Sequence, residues 1–576
     1  MPLATNYQLS TTNYQLSPMP QSNIFDAIVV GSGISGGWAA KELCEKGLKT
    51  LVLERGRNVD HIKDYPTATM NPWDFKHPGM KTKEMMENQH IQVRGFCNES
   101  NSHFFVNDKE HPYNQVKPFD WIRGYQVGGK SLVWGRQCYR LSDLDFEANA
   151  KEGIAIDWPI RYRDIAPWYS YVEKFAGISG SKEGLPQIPD GEFLPPMELN
   201  CLEKDVAEKI KTKFADRRMI IGRVANLTKG LKERGPCQFR NMCDRGCPFS
   251  GYFSSNSVTL PAAKATGNLT LRPDAIVTEV LYDKEKKRAT GIRILDANTR
   301  KTEEFYAKII FINASTVAST FILLNSVSDA FPNGLGNGSD QLGRNLMDHH
   351  YRVGASATSD DFSDQYTFGR RANGIYVPRF RNINEATKRT DYIRGFGFQG
   401  GASRLRPSMA EGIGADLKDQ LSEPGNWNMW LGAWGEHLPY ADNKITLSRD
   451  KKDNFGLPIV DIDCEFKENE KIMRKDMMNS AAETLEVAGL KNISTFDNAD
   501  AYPGLCIHEM GTARMGKDPK TSVLNKWNQL HEVKNVFVTD GACMTSSANQ
   551  NPSITYMALT ARAADYAVRE LKKGNL

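Results

Sequence analysis

A run of about thirty residues near the start of the chain restricts its possible folds more than any other segment. Phe25-Asp-Ala-Ile-Val-Val30 has the continuous apolar character of a buried parallel strand. Gly31-Ser-Gly33-Ile-Ser-Gly36 follows at once. Trp38 to Glu45 then reads as a helix, Gly47 as its stop, and Lys49-Thr-Leu-Val-Leu53 as a second strand ending at Glu54. A glycine motif alone is a weak signal, and its bland reading is a turn with no ligand. Here strand, turn, helix, strand and acid stand in the order a dinucleotide-binding βαβ unit requires. Gly31, Gly33 and Gly36 give the tight turn, the close backbone approach to a pyrophosphate and the packing of helix on strand. Ile34 and Ser35 open the helix, whose N-terminus faces the phosphates. Glu54 is in position to bond a ribose hydroxyl, with Arg55 beside it in the expected cofactor site.

Composition excludes other classes. The chain has 576 residues, enough for more than one core, with 40% hydrophobic and 25% charged residues, as in ordinary globular proteins. Its net charge of +4, from 73 basic and 69 acidic residues, makes no electrostatic case for nucleic acid. The longest apolar runs, such as Ile309-Ile-Phe-Ile312, fall far short of the roughly 20 residues of a membrane span. Residues 1–24 are polar, with a near-repeat and neither a basic nor an apolar signal region, and are expected to be a disordered extension. A cytoplasmic location follows by default, unless a partner carries the export signal.

Three further segments extend the nucleotide reading. Ala307-Lys-Ile-Ile-Phe-Ile-Asn313 leads into Ala314-Ser315 and a helix. Val127-Gly128-Gly129-Lys130-Ser131 supplies a second glycine turn, and Val536-Phe-Val-Thr-Asp540-Gly541 is a strand running into Asp-Gly. Over nearly the whole chain these elements, with Leu342-Gly-Arg-Asn-Leu-Met-Asp348-His349, resemble the glucose-methanol-choline (GMC) oxidoreductase family. The resemblance implies an α/β fold: a Rossmann-like FAD-binding domain joined to a sheet-based α+β substrate domain. FAD contacts are then expected at Gly31, Gly33, Ile34, Ser35, Gly36, Glu54, Arg55, Gly128, Gly129, Ser131, Val277, Ala314, Asp540, Gly541, Asn551 and Pro552. The expected FAD-binding domain takes residues 25–150, 235–350 and 500–576, and the substrate domain takes 151–234 and 351–499.

Cys506-Ile-His508-Glu-Met-Gly511 and Asn549-Gln-Asn551-Pro552 are similar to the family's two active-site segments. By that resemblance His508 is the general base and Asn551 the donor that orients the substrate hydroxyl. The residue types suit alcohol oxidation, since histidine begins near working pH and an amide NH2 is a neutral donor for a developing alkoxide. The His/Asn pair is similar to that of pyranose 2-oxidase. Where that enzyme links FAD covalently through a histidine this chain has Val133, so its FAD is expected to be noncovalent. His349 and His350 are expected to be structural. Arg94, Gln399 and His437 are weaker candidates for substrate hydroxyls, and Trp427, Trp430 and Trp434 are candidates for stacking on a sugar or for packing the sheet.

Cys237, Cys243 and Cys247 fall within eleven residues, spaced C-x5-C-x3-C and followed by Pro248. The other seven cysteines are scattered and read as core residues. Clustered thiolates suit zinc or iron–sulfur, and zinc sites usually show paired spacing and four ligands. Three ligands fit a [3Fe–4S] cluster better; the bland reading is a loop with a local disulfide or free thiols. The spacing resembles the catalytic subunits of bacterial glucoside 3-dehydrogenases and related sugar dehydrogenases. That resemblance implies oxidation of a hexose or glycoside ring hydroxyl at C3, with electrons relayed through the cluster to an acceptor such as cytochrome c. It also implies a small chaperone-like subunit whose export signal would carry this chain to the periplasm. Alternatives are a gluconate 2-dehydrogenase, an oxygen-using pyranose or glycoside oxidase and, less favoured, a non-redox lyase.

Overall fold

The computed structural model describes residues 23–77, 80–367, 369, 371–404 and 412–576. Most of the expected N-terminal extension, residues 1–22, lies outside them; Ile24 opens the first strand.

A seven-stranded mixed sheet forms the larger core. Thr302–Ile312 lies at its centre, with Ile24–Val30, Thr50–Leu53 and Leu269–Arg272 following in parallel on one side. On the other side, Arg288–Asp296 pairs antiparallel with the first half of the central strand, and Ala275–Asp283 lies beyond it. Val536–Val538 takes over that edge in parallel, alongside Ile310, Phe311 and Ile312. Both faces are buried, as parallel strands require. Ala27, Val29, Ile309, Phe311 and Phe537 face one apolar layer with the helices Ile34–Glu45 and Ser553–Lys572. Their neighbours Ile28, Val30, Ile310, Ile312 and Val538 face the other. The two-residue strand period makes this division.

A second, antiparallel sheet has six strands in the order Lys491–Asp497, Val353–Ser359, Trp427–Gly435, Phe396–Arg404, Ile375–Val377 and Ile220–Ile221. Its covered face packs on the helices Cys201–Lys213 and Glu468–Val487. Trp427, Met429, Leu431 and Ala433 point into that layer, so Trp430 and Trp434 point away from it. The helix Tyr162–Ala176 belongs by position to the expected substrate domain, yet it packs on Ser553–Lys572 beside the large sheet. Its buried Ile165, Tyr169 and Val172 lie on one helical stripe and join the larger core. No helix among the described residues is long and apolar enough to cross a membrane.

Candidate active site

A cavity of about 450 Å³ opens at the carboxyl ends of the parallel strands, reaching residues after Val30, Leu53 and Ile312. Open α/β sheets bind ligands in this place. The glycine turn shapes one wall. Gly31 has φ +91°, and a Cβ there would lie 2.4 Å from the Asn313 carbonyl oxygen. A Cβ on Gly36 would lie 1.9 Å from the Gly31 oxygen, so only glycine lets the helix start this close to the strand. The second turn meets the first: a Cβ on Gly129 would come within 3.5 Å of the Gly33 Cα. Gly128 donates its N–H to Ser32 Oγ (2.9 Å), which donates to Glu54 Oε2 (2.6 Å). Burial pushes the Glu54 carboxyl up, against the bonds it accepts from Ser32 and Gly56.

The expected contacts gather here. Gly31, Gly33, Ile34, Ser35, Glu54, Arg55, Gly129, Ser131, Val277, Ala314, Asp540, Gly541, Asn551 and Pro552 line the cavity together with His508. Gly36 and Gly128 do not line it; they act through the close packing behind it. Two observations fit a bound dinucleotide. The helix Ile34–Glu45 begins at Gly33 with no side-chain cap and no acid in its first turn, leaving its first N–H groups open to an anion. Asn313 Nδ2, Glu509 Oε1 and Tyr556 Oη are buried in residues lining the cavity and lack a hydrogen-bond partner among the described residues.

His508 and Asn551 meet in the same cavity, with His508 Nε2 3.5 Å from Asn551 Nδ2. Gln399 holds the amide by donating from Nε2 to Asn551 Oδ1 (2.7 Å). Gln399 lies on Phe396–Arg404, opposite Gly432 and two residues along from the Gly397–Trp434 pair, so the second sheet presents Gln399 and Trp434 to the cavity. Of the three tryptophans only Trp434 lines it; Trp427 is buried in the core and Trp430 is exposed. Arg94 pairs with Asp120, His437 packs between Asp348 and Glu465, and neither reaches the cavity.

Around His508 the backbone is held tightly. Ile507 has φ +65°, a left-handed conformation costly for a β-branched residue. The amides on either side of it, from Cys506 and His508, both donate to Asp348, as does Gly504 N–H. Burial, and next the nearby Glu509 charge, push Asp348 up to about 7 in spite of these three bonds. His349, expected to be structural, has its Nδ1 2.8 Å from His508 Nδ1. The sequence held no signal for that contact, which spans 159 residues. His350 is buried with neither ring nitrogen bonded among the described residues. Burial pushes His508 well below its ordinary value, with His349 and Lys130 adding to the effect, and holds His349 down at about 4. Both rings are therefore neutral at neutral pH.

His349, Cys506 and His508 are the one trio of potential metal ligands within 4.8 Å of one another among the described residues. Two nitrogens bound to one zinc stand about 3.3 Å apart, as zinc–nitrogen bonds of about 2.0 Å imply. The 2.8 Å nitrogen separation is instead that of a hydrogen bond.

Cys237, Cys243 and Cys247 line a second, small cavity of about 20 Å³, walled by Tyr252 and Met242. All ten cysteines are free, so the local disulfide is not formed. The three sulfurs are not gathered within 4.8 Å, whereas tetrahedral zinc would hold them about 3.8 Å apart. The chain around the small cavity is hydrogen-bonded to chain that lines the large one. Tyr252 donates to Leu132 O (2.6 Å) and Trp134 donates to Phe253 O (2.9 Å), while Ser131, Val133 and Trp134 line the large cavity.

Two family models described as GMC oxidoreductase match residues 25–351 and 439–560. The chain is 29% identical to a 2-methyl-1,2-propanediol dehydrogenase of Mycolicibacterium austroafricanum, over 94% of this chain and 95% of that protein. It is 25% identical to the fructose dehydrogenase large subunit of Gluconobacter japonicus, over 95% and 98% of the two. Its fold matches pyridoxine 4-oxidase from Mesorbium loti with a TM-score of 0.58 at 16% identity, over 94% of this chain and 99% of that one. The chain belongs to the GMC oxidoreductase family, whose members bind FAD, and the large cavity fits that cofactor.

Proposed function

We propose that this member of the GMC oxidoreductase family oxidises a secondary ring hydroxyl of a hexose or glycoside at C3, giving a 3-keto sugar. The reading is carried by His508 Nε2 and Asn551 Nδ2, which stand 3.5 Å apart in the cavity shared by both glycine turns. A hydroxyl oxygen about 2.8 Å from each nitrogen fits between them. FAD, when bound, accepts the hydride released from the carbinol carbon. His508, neutral and with a lone pair, takes the hydroxyl proton at Nε2. Asn551 donates to the substrate oxygen as it gains charge, and Gln399 keeps that amide turned toward it. Trp434 offers an apolar face for a sugar ring.

The fructose dehydrogenase relative supports a sugar substrate, and the cysteine spacing motivates C3. The propanediol dehydrogenase relative supports a second reading, a small acyclic alcohol bearing a neighbouring hydroxyl. Both substrates present a vicinal diol to the same His/Asn pair.

We further propose that Cys237, Cys243 and Cys247 hold a [3Fe–4S] cluster supplying one-electron relay. Three free thiols around one cavity, not closed on a zinc-sized point, support it. With such a relay, cytochrome c is the proposed acceptor, and a small signal-bearing subunit the proposed route to the periplasm.

An anaerobic visible spectrum of the purified protein, with iron analysis, tests these readings. Flavin bands over a broad background, bleached by methyl glucoside, are expected. Bleaching by 2-methyl-1,2-propanediol alone would move the substrate to the second reading. Flavin bands without iron would remove the cluster.

A further inference from the structure

We infer that His349 is a positioning residue that fixes which nitrogen of His508 carries the proton, through a chain ending on the Ala548 carbonyl. The inference rests on the reading of His508 as base and deepens it.

The proton assignment follows from one end of the chain. His349 Nε2 lies 2.7 Å from the Ala548 carbonyl oxygen, which can only accept, so this nitrogen bears a hydrogen. A neutral imidazole has one N–H, which leaves His349 Nδ1 as a bare acceptor. His508 Nδ1, 2.8 Å away, must then donate. With its single hydrogen on Nδ1, His508 has a bare Nε2, and that is the nitrogen beside Asn551 in the cavity.

The competing arrangement fails on geometry. Cys506 Sγ lies 3.4 Å from His508 Nδ1 and, as a donor, would place the His508 proton on Nε2. Two bare nitrogens would then face each other across 2.8 Å, with nothing between them. The sulfur instead shares the Nδ1 hydrogen as a weak second acceptor.

The chain is built under strain at both ends. Ala548 has φ +55° and Ile507 has φ +65°, so the residue that supplies the carbonyl and the residue that precedes His508 both adopt left-handed conformations. Ala548 N–H is held by Glu436 Oε1 (3.2 Å), and the amides flanking Ile507 are held by Asp348. Such strain persists only where the surroundings over-determine it. His349 follows Asp348 directly, so one dipeptide sets both the His508 backbone and its proton. A neutral acceptor at Nδ1 fixes the tautomer without adding a buried charge beside the base.

The test compares His349→Leu, which removes the acceptor, with His349→Asn, whose Oδ1 can stand where Nδ1 stood. The readout independent of turnover is solid-state 15N NMR of FAD-loaded protein labelled at histidine. The chain has ten histidines, and the His508→Ala difference spectrum assigns the His508 signals. The wild type and His349→Asn are expected to show a bare Nε2 on His508, and His349→Leu a mixture of both tautomers. Stopped-flow bleaching by methyl glucoside and by 2-methyl-1,2-propanediol should show the limiting rate at least about tenfold lower in His349→Leu, with substrate affinity within about twofold. His349→Asn should recover most of that loss. A protonated Nε2 in the wild type, or a His508 tautomer unchanged in His349→Leu, would overturn the inference. If His508→Ala bleaches at the wild-type rate while Nε2 is bare, the base reading fails and the tautomer assignment stands.

Discussion

The large cavity and the small cysteine-lined one are built on different principles. The large one is prepared for its ligand: backbone turns, a helix N-terminus and oriented side chains already point into about 450 Å³. The small one gathers three thiols around about 20 Å³ and leaves them too dispersed for a single ion. Backbone groups in tight turns have one geometry, set by φ and by what a Cβ would strike. Thiols on a loop have several, and a ligand selects among them. The difference predicts that disturbing the large cavity destroys a site that already exists, and disturbing the small one prevents a site from forming.

Gly36→Val should have the largest effect. Its side chain would meet the Gly31 oxygen inside contact distance, so the purified variant is expected to lack flavin absorbance altogether. Full flavin content would show that the turn yields more easily than a prepared cavity allows. His508→Ala should keep FAD and lose about 10²- to 10⁴-fold in the rate of bleaching, the usual contribution of a general base. On the cluster proposal, Cys243→Ser should bleach at close to the wild-type rate, lose iron, and pass electrons to ferricenium about tenfold more slowly or worse, because the proposed relay would be absent. Wild-type iron in that variant would remove Cys243 from the ligands and, with it, the contrast.

The smallest effect concerns Asp348, the carboxylate beneath the large cavity. Its value rises from 3.8 to about 7 in the fold, so folding favours the protonated form. That contribution is full below about pH 4 and is lost as pH rises to about 7. Asp348→Asn cannot titrate, so its Tm should change less with pH across this window, although the lost amide bonds lower Tm throughout. A pH dependence as steep as the wild type's would assign the titration to another group.

How much was readable in advance varied with sequence distance. The three tryptophans of Trp427–Gly435 show the limit within a single strand. Their spacing places Trp427 on one face and Trp430 and Trp434 on the other, but nothing local says which face meets the cavity. Register with Phe396–Arg404 settles it by setting Gly397 opposite Trp434 and Gln399 at the cavity. His437 looked as suitable as Gln399 for a substrate hydroxyl, yet it is buried under Asp348. His349 reads as structural because its segment resembles a junction between domains, and its contact with His508 spans 159 residues.

By itself, the sequence determined the nucleotide end, because a βαβ unit closes within a few dozen residues and its glycines are required by local sterics. It also determined the residue types available for proton transfer and for soft-metal ligation. Only the tertiary structure decided which of them act together. A hydrogen bond depends on which atom faces which, to within a few tenths of an ångström, and the atoms around His508 come from strands and loops up to 160 residues apart. The same dependence decided the cysteine loop: adjacency in sequence placed three thiols in one cavity and left their mutual geometry to the packing around them.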